Sequence, residues 1–254
     1  DVGDFAMAGA SSLSTVDHLD TFVAVEGGSY AWRRLAAGGS MDAGEGELTL
    51  VAQLKSYDGP WQQSEQLRHE SGYGKYAQQT ALGALEISLS AYHATWDPTE
   101  QIPERAIGTD GCRDEFCALD PSADGETTRY ISAARLLGDD WRATLYAQYY
   151  DWHMASNPTY DFQINQFDQR ATYGGRYEKD FAINPSLDIN VGTEGRYDDI
   201  DETGVEHTEA GELVEPISSH AVKETSVALY SEVTWRALDD LRVLGGLRGD
   251  AYTF

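Results

Sequence analysis

Residues able to hold a small ligand gather in two polar stretches of the sequence. One runs from Asp97 to Arg129, and the other begins near Tyr150. Arginine side chains bind anionic groups and aromatic rings anchor apolar ones, so both stretches are candidate ligand sites. The candidate residues are Trp96, Arg105, Arg113, Tyr150, Trp152, His153 and Tyr160. The alternative is that they are ordinary surface residues, or that the Tyr and Trp side chains form a membrane-interface belt.

The only two cysteines, Cys112 and Cys117, lie in the first of these stretches, in the segment GCRDEFC. A small disulfide loop in an oxidising compartment is the favoured interpretation. A two-cysteine metal site is the weaker alternative, because no second pair and no nearby histidine supplies further ligands. We therefore predict a disulfide and no metal site, although spacing alone does not establish the geometry of a bridge.

An acidic run later in the chain could bind calcium or another cation. Its residues are Asp198, Asp199, Asp201, Glu202, Glu206 and Glu209, with His207 among them. The run lacks the D-x-D-x-D-G spacing of an EF-hand loop. A solvated, mutually repelling surface loop is the favoured interpretation, so no metal ligands are predicted there.

The sequence shows no arrangement of residues that indicates an enzyme. Its six histidines are scattered, and neither G-x-S-x-G nor H-E-x-x-H occurs. Paired carboxylates carry little information in a chain with 43 acidic residues. A phospholipase or protease built on a membrane barrel would need a nucleophile or an acid pair at a strand end, and none is identifiable. We predict no catalytic residues and no cofactor.

The overall charge excludes a nucleic-acid partner. Among 254 residues, 43 are acidic and 18 basic, giving a net charge of −25, whereas phosphate binding needs a basic surface. The mean hydropathy of −0.48 is typical of a soluble protein. It does not exclude a transmembrane barrel, in which only every second strand residue faces lipid. No apolar run approaches the roughly eighteen residues of a transmembrane helix.

The elements that must position the candidate residues are alternating strands. In LEISLSAYHATW, the apolar residues Leu85, Ile87 and Leu89 alternate with Glu86 and Ser88. After the first polar stretch the chain returns through YISAARLL, turns at GDD, and leaves as WRATLYAQYYDW. Alternation over about ten residues, with long loops at one end and short turns at the other, predicts a membrane-spanning β-barrel.

The same rhythm continues to the last residue and predicts about eleven antiparallel, up-and-down strands after residue 20. No period of about 3.6 residues is sustained, so essentially no helix is predicted. A soluble β-sandwich is the alternative all-β fold. The barrel is favoured because Trp141 and Trp235 stand beside short turns, as in an aromatic girdle, and because one strand face is charged, as a hydrated lumen requires. The residues of that face are Glu86, Arg142, Gln148, Glu194, Glu232, Arg236, Arg242 and Arg248.

Several segments resemble TonB-dependent outer-membrane receptors. GDFAMAGASSLST resembles the last strand of their plug domain, and GGSYAWRRLAAGGS resembles their first barrel hairpin. AYHATWDPTEQIPERAI, DPSADGETTRY and VKETSVALYSEVTW are similar to barrel segments of one branch of the family. The resemblance implies that residues 1–17 are the last plug strand leading into the barrel. Residues 18–254 are then the N-terminal half of the transmembrane barrel, about 11 of an expected 22 strands.

The resemblance also implies a function. Such receptors import scarce ligands, namely siderophore-bound iron, cobalamin, or sugars and other nutrients, with energy from the TonB complex. This partner would be reached through an N-terminal region that the sequence lacks. No secretory signal or TonB-contacting box is recognisable, so we expect part of a longer receptor, embedded in the lipid of a Gram-negative outer membrane. If the first strand rises from the periplasm, the long loops are extracellular. A passive porin and a soluble β-sandwich binding module are the alternatives.

Overall fold

The computed structural model describes residues 14–254, which form one sheet of eleven strands. Each strand pairs antiparallel with the strands before and after it in the chain. The predicted all-β, antiparallel up-and-down fold is confirmed. Most of the predicted plug strand, residues 1–17, lies outside the described residues, so the division of the chain into plug and barrel stays a prediction.

The strands lengthen along most of the chain. In order they are β1 (Phe22–Gly27), β2 (Arg33–Ala43), β3 (Gly46–Tyr57), β4 (Leu67–Thr80), β5 (Gly83–Trp96), β6 (Asp124–Leu137), β7 (Trp141–Ser156), β8 (Gln163–Asn184), β9 (Leu187–Glu209), β10 (Glu212–Leu238) and β11 (Leu241–Thr253). β10 has 27 residues, whereas about 9–11 suffice for a tilted strand to cross a bilayer. Among residues 14–254 the one helical element is a 3₁₀ turn, Glu104–Ala106. No helix in this part of the chain is long and apolar enough to cross a membrane.

Short turns join the strands at one end of the sheet. They are residues 44–45, 81–82, 138–140, 185–186 and 239–240. The connections at the opposite end, called the long-loop end below, are residues 28–32, 58–66, 97–123, 157–162 and 210–211. The longest of them, residues 97–123, is called the long loop. The predicted sorting of connections is therefore present, and the 210–211 turn is its one exception.

Strand pairing continues further at the long-loop end than the sequence predicts. The acidic run, interpreted above as a surface loop, is paired strand: β9 ends at Glu209 and β10 begins at Glu212. Between them Ala210 and Gly211 have φ values of 50° and 81°, as a two-residue hairpin turn requires. The loop interpretation is therefore wrong. A hairpin outside the membrane needs no apolar face, so alternation gives no signal for it.

The two faces of the sheet carry different side chains. On one, called the apolar face, Leu89 and Leu145 are 59% and 66% exposed. Positions one residue away point to the opposite, polar face, because strand side chains alternate. The cross-strand pair Glu86 and Arg135 lies on the polar face. By register, the whole predicted charged set shares this face: Glu86, Arg142, Gln148, Glu194, Glu232, Arg236, Arg242 and Arg248.

Charges on the polar face are paired with one another. Glu178, whose side chain is 6% exposed, accepts hydrogen bonds from both Arg142 and Arg176. Arg248 donates to Asp250, with Nε and Oδ1 2.9 Å apart. Burial of one charge without its partner costs about 3–5 kcal/mol. Pairing along the strands therefore lets this face line a hydrated lumen.

Aromatic side chains border the apolar face at two heights. Beside a short turn, Trp141 stacks on Tyr177 with ring centroids 6.1 Å apart. Eight residues further along the same strand, Tyr149 stacks on Tyr130 at 6.3 Å. Eight residues span about 26 Å along a strand, or roughly 20 Å of height for a strand tilted by about 35–45°, so the two aromatic positions lie near the two edges of an apolar band about 25 Å tall. Trp235 also lies beside a short turn on this face, 51% exposed.

Two tyrosines of the polar face lie flat on glycines of the neighbouring strand. A Cβ atom at Gly174 would stand 2.3 Å from the ring of Tyr146, and one at Gly192 would stand 2.2 Å from the ring of Tyr230. Glycine is needed at both positions because each ring covers the opposite backbone. Tyr230 is only 4% exposed as a result.

Candidate ligand site at the long-loop end

The long loop is braced on one side by the loop that joins β3 to β4. The N–H of Gln62 donates to the carbonyl of Phe116 at 2.7 Å. The side chain of Gln63 donates to the carbonyl of Pro121 at 2.9 Å. The rings of Trp61 and Phe116 lie 5.9 Å apart. Polar and aromatic contacts thus hold this side of the long loop.

A disulfide closes a small ring within the long loop. It joins Cys112 to Cys117, with Cα atoms 5.0 Å apart. Both cysteines are buried, at 0% and 1% exposure. The four residues between them are exposed, and they include Arg113. The ring therefore presents an arginine to solvent while its Phe116 packs on the neighbouring loop.

On its other side the long loop is fastened to the loop between β7 and β8. Asn157 donates its backbone N–H to Glu100 Oε1 at 2.7 Å and its side-chain amide to Asp120 Oδ2 at 2.9 Å. The hydroxyl of Tyr160 donates to the carbonyl of Gln101 at 2.8 Å. These bonds link residues more than thirty positions apart in sequence, so the two loops form one unit.

The two carboxylates of this cluster differ in their electrostatics. Burial raises the pKa of Glu100, the charge of Asp120 adds to the rise, and the N–H of Asn157 partly opposes it. Burial also acts to raise the pKa of Asp120, but hydrogen bonds from Ser122, Asn157 and Gln163 outweigh it and lower that pKa. Among the described residues, Glu100 Oε2 and Asn157 Oδ1 are buried without a hydrogen-bond partner. The folded protein therefore favours protonation of Glu100 more than water does.

We expect the fastening at Glu100 to weaken as the pH rises. Because the pKa of Glu100 is higher in the folded protein than in the unfolded chain, protonation stabilises the docked loop, and this contribution is lost as the pH rises through the folded pKa. Glu100→Gln removes the charge and keeps an acceptor for Asn157. It should slow proteolytic cleavage of the long loop at neutral pH, because the docked loop then no longer carries a partly buried charge at position 100.

The measurement is the rate of cleavage within the long loop of the complete protein, normalised at each pH to an unstructured peptide. Glu104→Gln is the matched control, because Glu104 is an exposed carboxylate of the same loop. If the parent and Glu100→Gln show the same dependence of cleavage on pH, the prediction is wrong.

Three of the predicted site residues lie in loops between strands, and a fourth is the strand residue directly before the long loop. Arg105 is exposed in the 3₁₀ turn, and Arg113 is exposed in the disulfide ring. Tyr160 belongs to the loop between β7 and β8. Trp96 is the last residue of β5, where its ring covers Gly125 of β6: a Cβ atom there would stand 2.5 Å from the ring. Each of the four is therefore at the long-loop end.

The other three predicted site residues lie within β7, not in a loop. By register, Tyr150 and Trp152 point to the polar face and His153 to the apolar face. The guanidinium carbon of Arg129 lies 4.7 Å from the ring centroid of Tyr150, a cation–π geometry. The second polar stretch therefore begins within a strand, because β7 stays paired with β8 as far as Ser156 and polar composition alone does not end a strand.

An open cavity of about 290 Å³ at the rim of the sheet brings two predicted residues together. Trp96 and His153 line it, together with Arg68, Asp97 and Glu126 among others. The remaining predicted residues do not line this cavity, so the seven do not form a single pocket. No group of three or more His, Cys, Asp or Glu side chains within residues 14–254 is arranged to hold a metal ion.

The sequence did not indicate the residues that fix the long loop. Asp120, Asn157 and Gln163 are short polar side chains at loop positions or at a strand end, and such residues are common on surfaces. A signal for them would have required knowledge of which strands are neighbours. Their role becomes visible only from contacts over 37 to 43 positions in sequence.

An antiparallel meander with one polar and one apolar face, bordered by stacked aromatic rings, defines the wall of a transmembrane β-barrel. Within that class, residues 50–254 match the family model described as TonB dependent receptor-like, beta-barrel. The chain belongs to this family, as its resemblance predicted. No curated protein matches the sequence.

Three solved structures share the fold. The ferric citrate transporter FecA, unliganded, is 14% identical with a TM-score of 0.65 over 88% of this chain and 35% of its own. The ferric yersiniabactin uptake receptor FyuA from Yersinia pestis is 13% identical, with a TM-score of 0.65 over 96% of this chain and 40% of its own. The pyoverdine outer membrane receptor FpvA from Pseudomonas aeruginosa, bound to pyoverdine, is 14% identical, with a TM-score of 0.65 over 95% of this chain and 41% of its own. The chain spans less than half the length of each.

Proposed function

We propose that the chain is the N-terminal half of the barrel of an outer-membrane receptor that imports a scarce ligand with energy from the TonB complex. The ligand would be siderophore-bound iron, a vitamin or another nutrient, bound at the long-loop end, which faces the outside of the cell. Residues 1–17 would be the last strand of a plug domain, and the TonB complex would act through the region before them. The apolar face would contact outer-membrane lipid.

The braced long loop is the observation that carries this proposal. It is held from both sides by hydrogen bonds of 2.7 to 2.9 Å, and it exposes Arg105 and Arg113 at the mouth. Guanidinium groups form strong, charge-assisted bonds to carboxylates and similar anionic groups. The names of two of the similar structures, a ferric citrate transporter and a ferric yersiniabactin uptake receptor, support iron chelates as the first ligand class to test.

The test uses the complete receptor purified in detergent and a panel of ferric citrate, ferric yersiniabactin, ferric pyoverdine and cobalamin. We expect saturable quenching of tryptophan fluorescence by one member of the panel. In cells, uptake of that compound should stop when a protonophore dissipates the proton-motive force.

Two outcomes would contradict the proposal. Uptake that is unsaturable and insensitive to the protonophore would identify a passive porin. Recovery of the intact protein from the aqueous phase without detergent would identify a soluble binding module, because an exposed apolar face of this size requires lipid or detergent.

A further inference from the structure

Gln163, the first residue of β8, is a buried amide that makes four hydrogen bonds. Gln163 is only 2% exposed. Oε1 accepts from the hydroxyl of Thr208 at 2.8 Å and from the N–H of Gly211 at 2.9 Å. Nε2 donates to Ser122 Oγ at 2.8 Å and to Asp120 Oδ2 at 3.3 Å. Every donor and acceptor of the amide is therefore used.

The four partners of Gln163 come from three separate parts of the chain. Thr208 lies near the end of β9, and Gly211 lies in the β9–β10 turn. Asp120 and Ser122 belong to the long loop, 43 and 41 positions before Gln163 in sequence. The amide thus ties the long loop to the tall hairpin of β9 and β10. Thr208 is itself 3% exposed, so water does not reach this junction easily.

The chemistry of the junction requires an amide. A carboxylate at position 163 would keep both acceptors but lose the two donors, and it would stand beside the charge of Asp120. An apolar residue would leave the buried hydroxyl of Thr208 without its acceptor, and a buried donor without a partner is destabilising. Glutamine alone among residues of this size both donates twice and accepts twice.

We infer that Gln163 is a positioning residue that holds the long loop in one fixed place against the β9–β10 hairpin. The long loop is then a preformed platform of the ligand mouth, and it does not close over a ligand as a lid. Arg105 and Arg113 keep their positions whether or not ligand is bound. Only the statement that the long loop binds a ligand rests on the proposed function. The fixed position of the loop is inferred from the hydrogen bonds of Gln163.

Hydrogen exchange followed by mass spectrometry, on the complete receptor without any ligand, tests the inference. Gln163→Leu should raise the exchange rate of backbone amides in the long loop by about tenfold, because local opening controls the exchange of protected amides. Gln163→Glu should raise it as well, and Thr208→Val, which removes one bond, should raise it less. Gln169→Leu is the matched control: it lies on the same strand and donates instead to Tyr149 and Asp151.

Each outcome decides the inference. Unchanged exchange in Gln163→Leu and Gln163→Glu would overturn it, and so would a parent loop that already exchanges as fast as an unstructured peptide. If Gln163→Leu fails to assemble, Thr208→Val supplies the comparison, and unchanged exchange there would overturn the inference. Because no ligand is present, failure here is distinct from failure of the proposed function, which is measured by the ligand panel.

Discussion

We expect a receptor in which a Gly-Ser-Gly linker replaces the long loop to assemble its barrel but to lose ligand binding. The linker can close the hairpin because Trp96 is paired with Gly125 across β5 and β6, close enough for a short turn. Binding is lost because the replaced segment carries Arg105 and Arg113. We expect affinity to fall on the order of a hundredfold or more, since a hydrogen bond to a charged group contributes about 1.5–3 kcal/mol.

The control places the same linker at residues 138–140, the turn between β6 and β7 at the opposite end of the sheet. Affinity for whichever panel compound the parent binds should then be unchanged. Equilibrium titration measures affinity, and the heat-dependent shift of the band in gel electrophoresis measures assembly of the barrel. If the variant without the long loop forms an intact barrel and binds as the parent does, the ligand is held elsewhere.

Leu89→Arg should strongly destabilise the barrel inserted in lipid. Leu89 is 59% exposed on the apolar face, with Gly74 and Ser132 as its cross-strand neighbours. An arginine on the lipid face of a barrel costs about 2–4 kcal/mol near the middle of the bilayer. That cost is a large fraction of the net stability of a folded protein, about 5–15 kcal/mol.

Ser90→Arg is the matched control, one residue away on the polar face. Its cross-strand neighbours there are Tyr73 and Ile131, so the new charge meets no like charge directly opposite and can be hydrated in the lumen. Urea unfolding of the receptor reconstituted in lipid vesicles measures both variants. Equal loss of stability in the two would show that the faces are not divided between lipid and lumen.

The membrane-spanning part of the fold could be predicted from sequence because lipid imposes a pattern on it. Every second residue from Leu85 to Leu89 must be apolar, and the residue beside each short turn, such as Trp141, tends to be aromatic at the interface. The faces therefore follow from local alternation alone. The resemblance to the receptor family rested on several such segments and is confirmed by the family match.

Outside the membrane the pattern disappears, and prediction failed there for a physical reason. The sequence shows only a polar stretch from about Tyr150 onward, and it does not reveal that backbone pairing with β8 continues through Trp152 and His153 as far as Ser156. The strand beyond Asp198 was missed for the same reason. Both faces of the hairpin contact water there, so no alternation of apolar and polar residues marks the strand. The role of Gln163 depends on bonds to Thr208 and to the long loop, and no local property of the sequence encodes such distant contacts.

Because the strands differ in length, the long-loop end of the sheet extends further at β9 and β10 than at β1. β1 has six residues, whereas β9 and β10 have 23 and 27 and continue well beyond the tyrosines of the apolar face. The tall extensions carry the acidic run, so they repel dissolved anions and attract cations over distances of roughly a Debye length, about 8 Å at physiological salt. Under the proposed function, an anionic ligand that comes within this distance of β9 and β10 would be repelled, so it would reach Arg105 and Arg113 more readily from the side of the shorter strands.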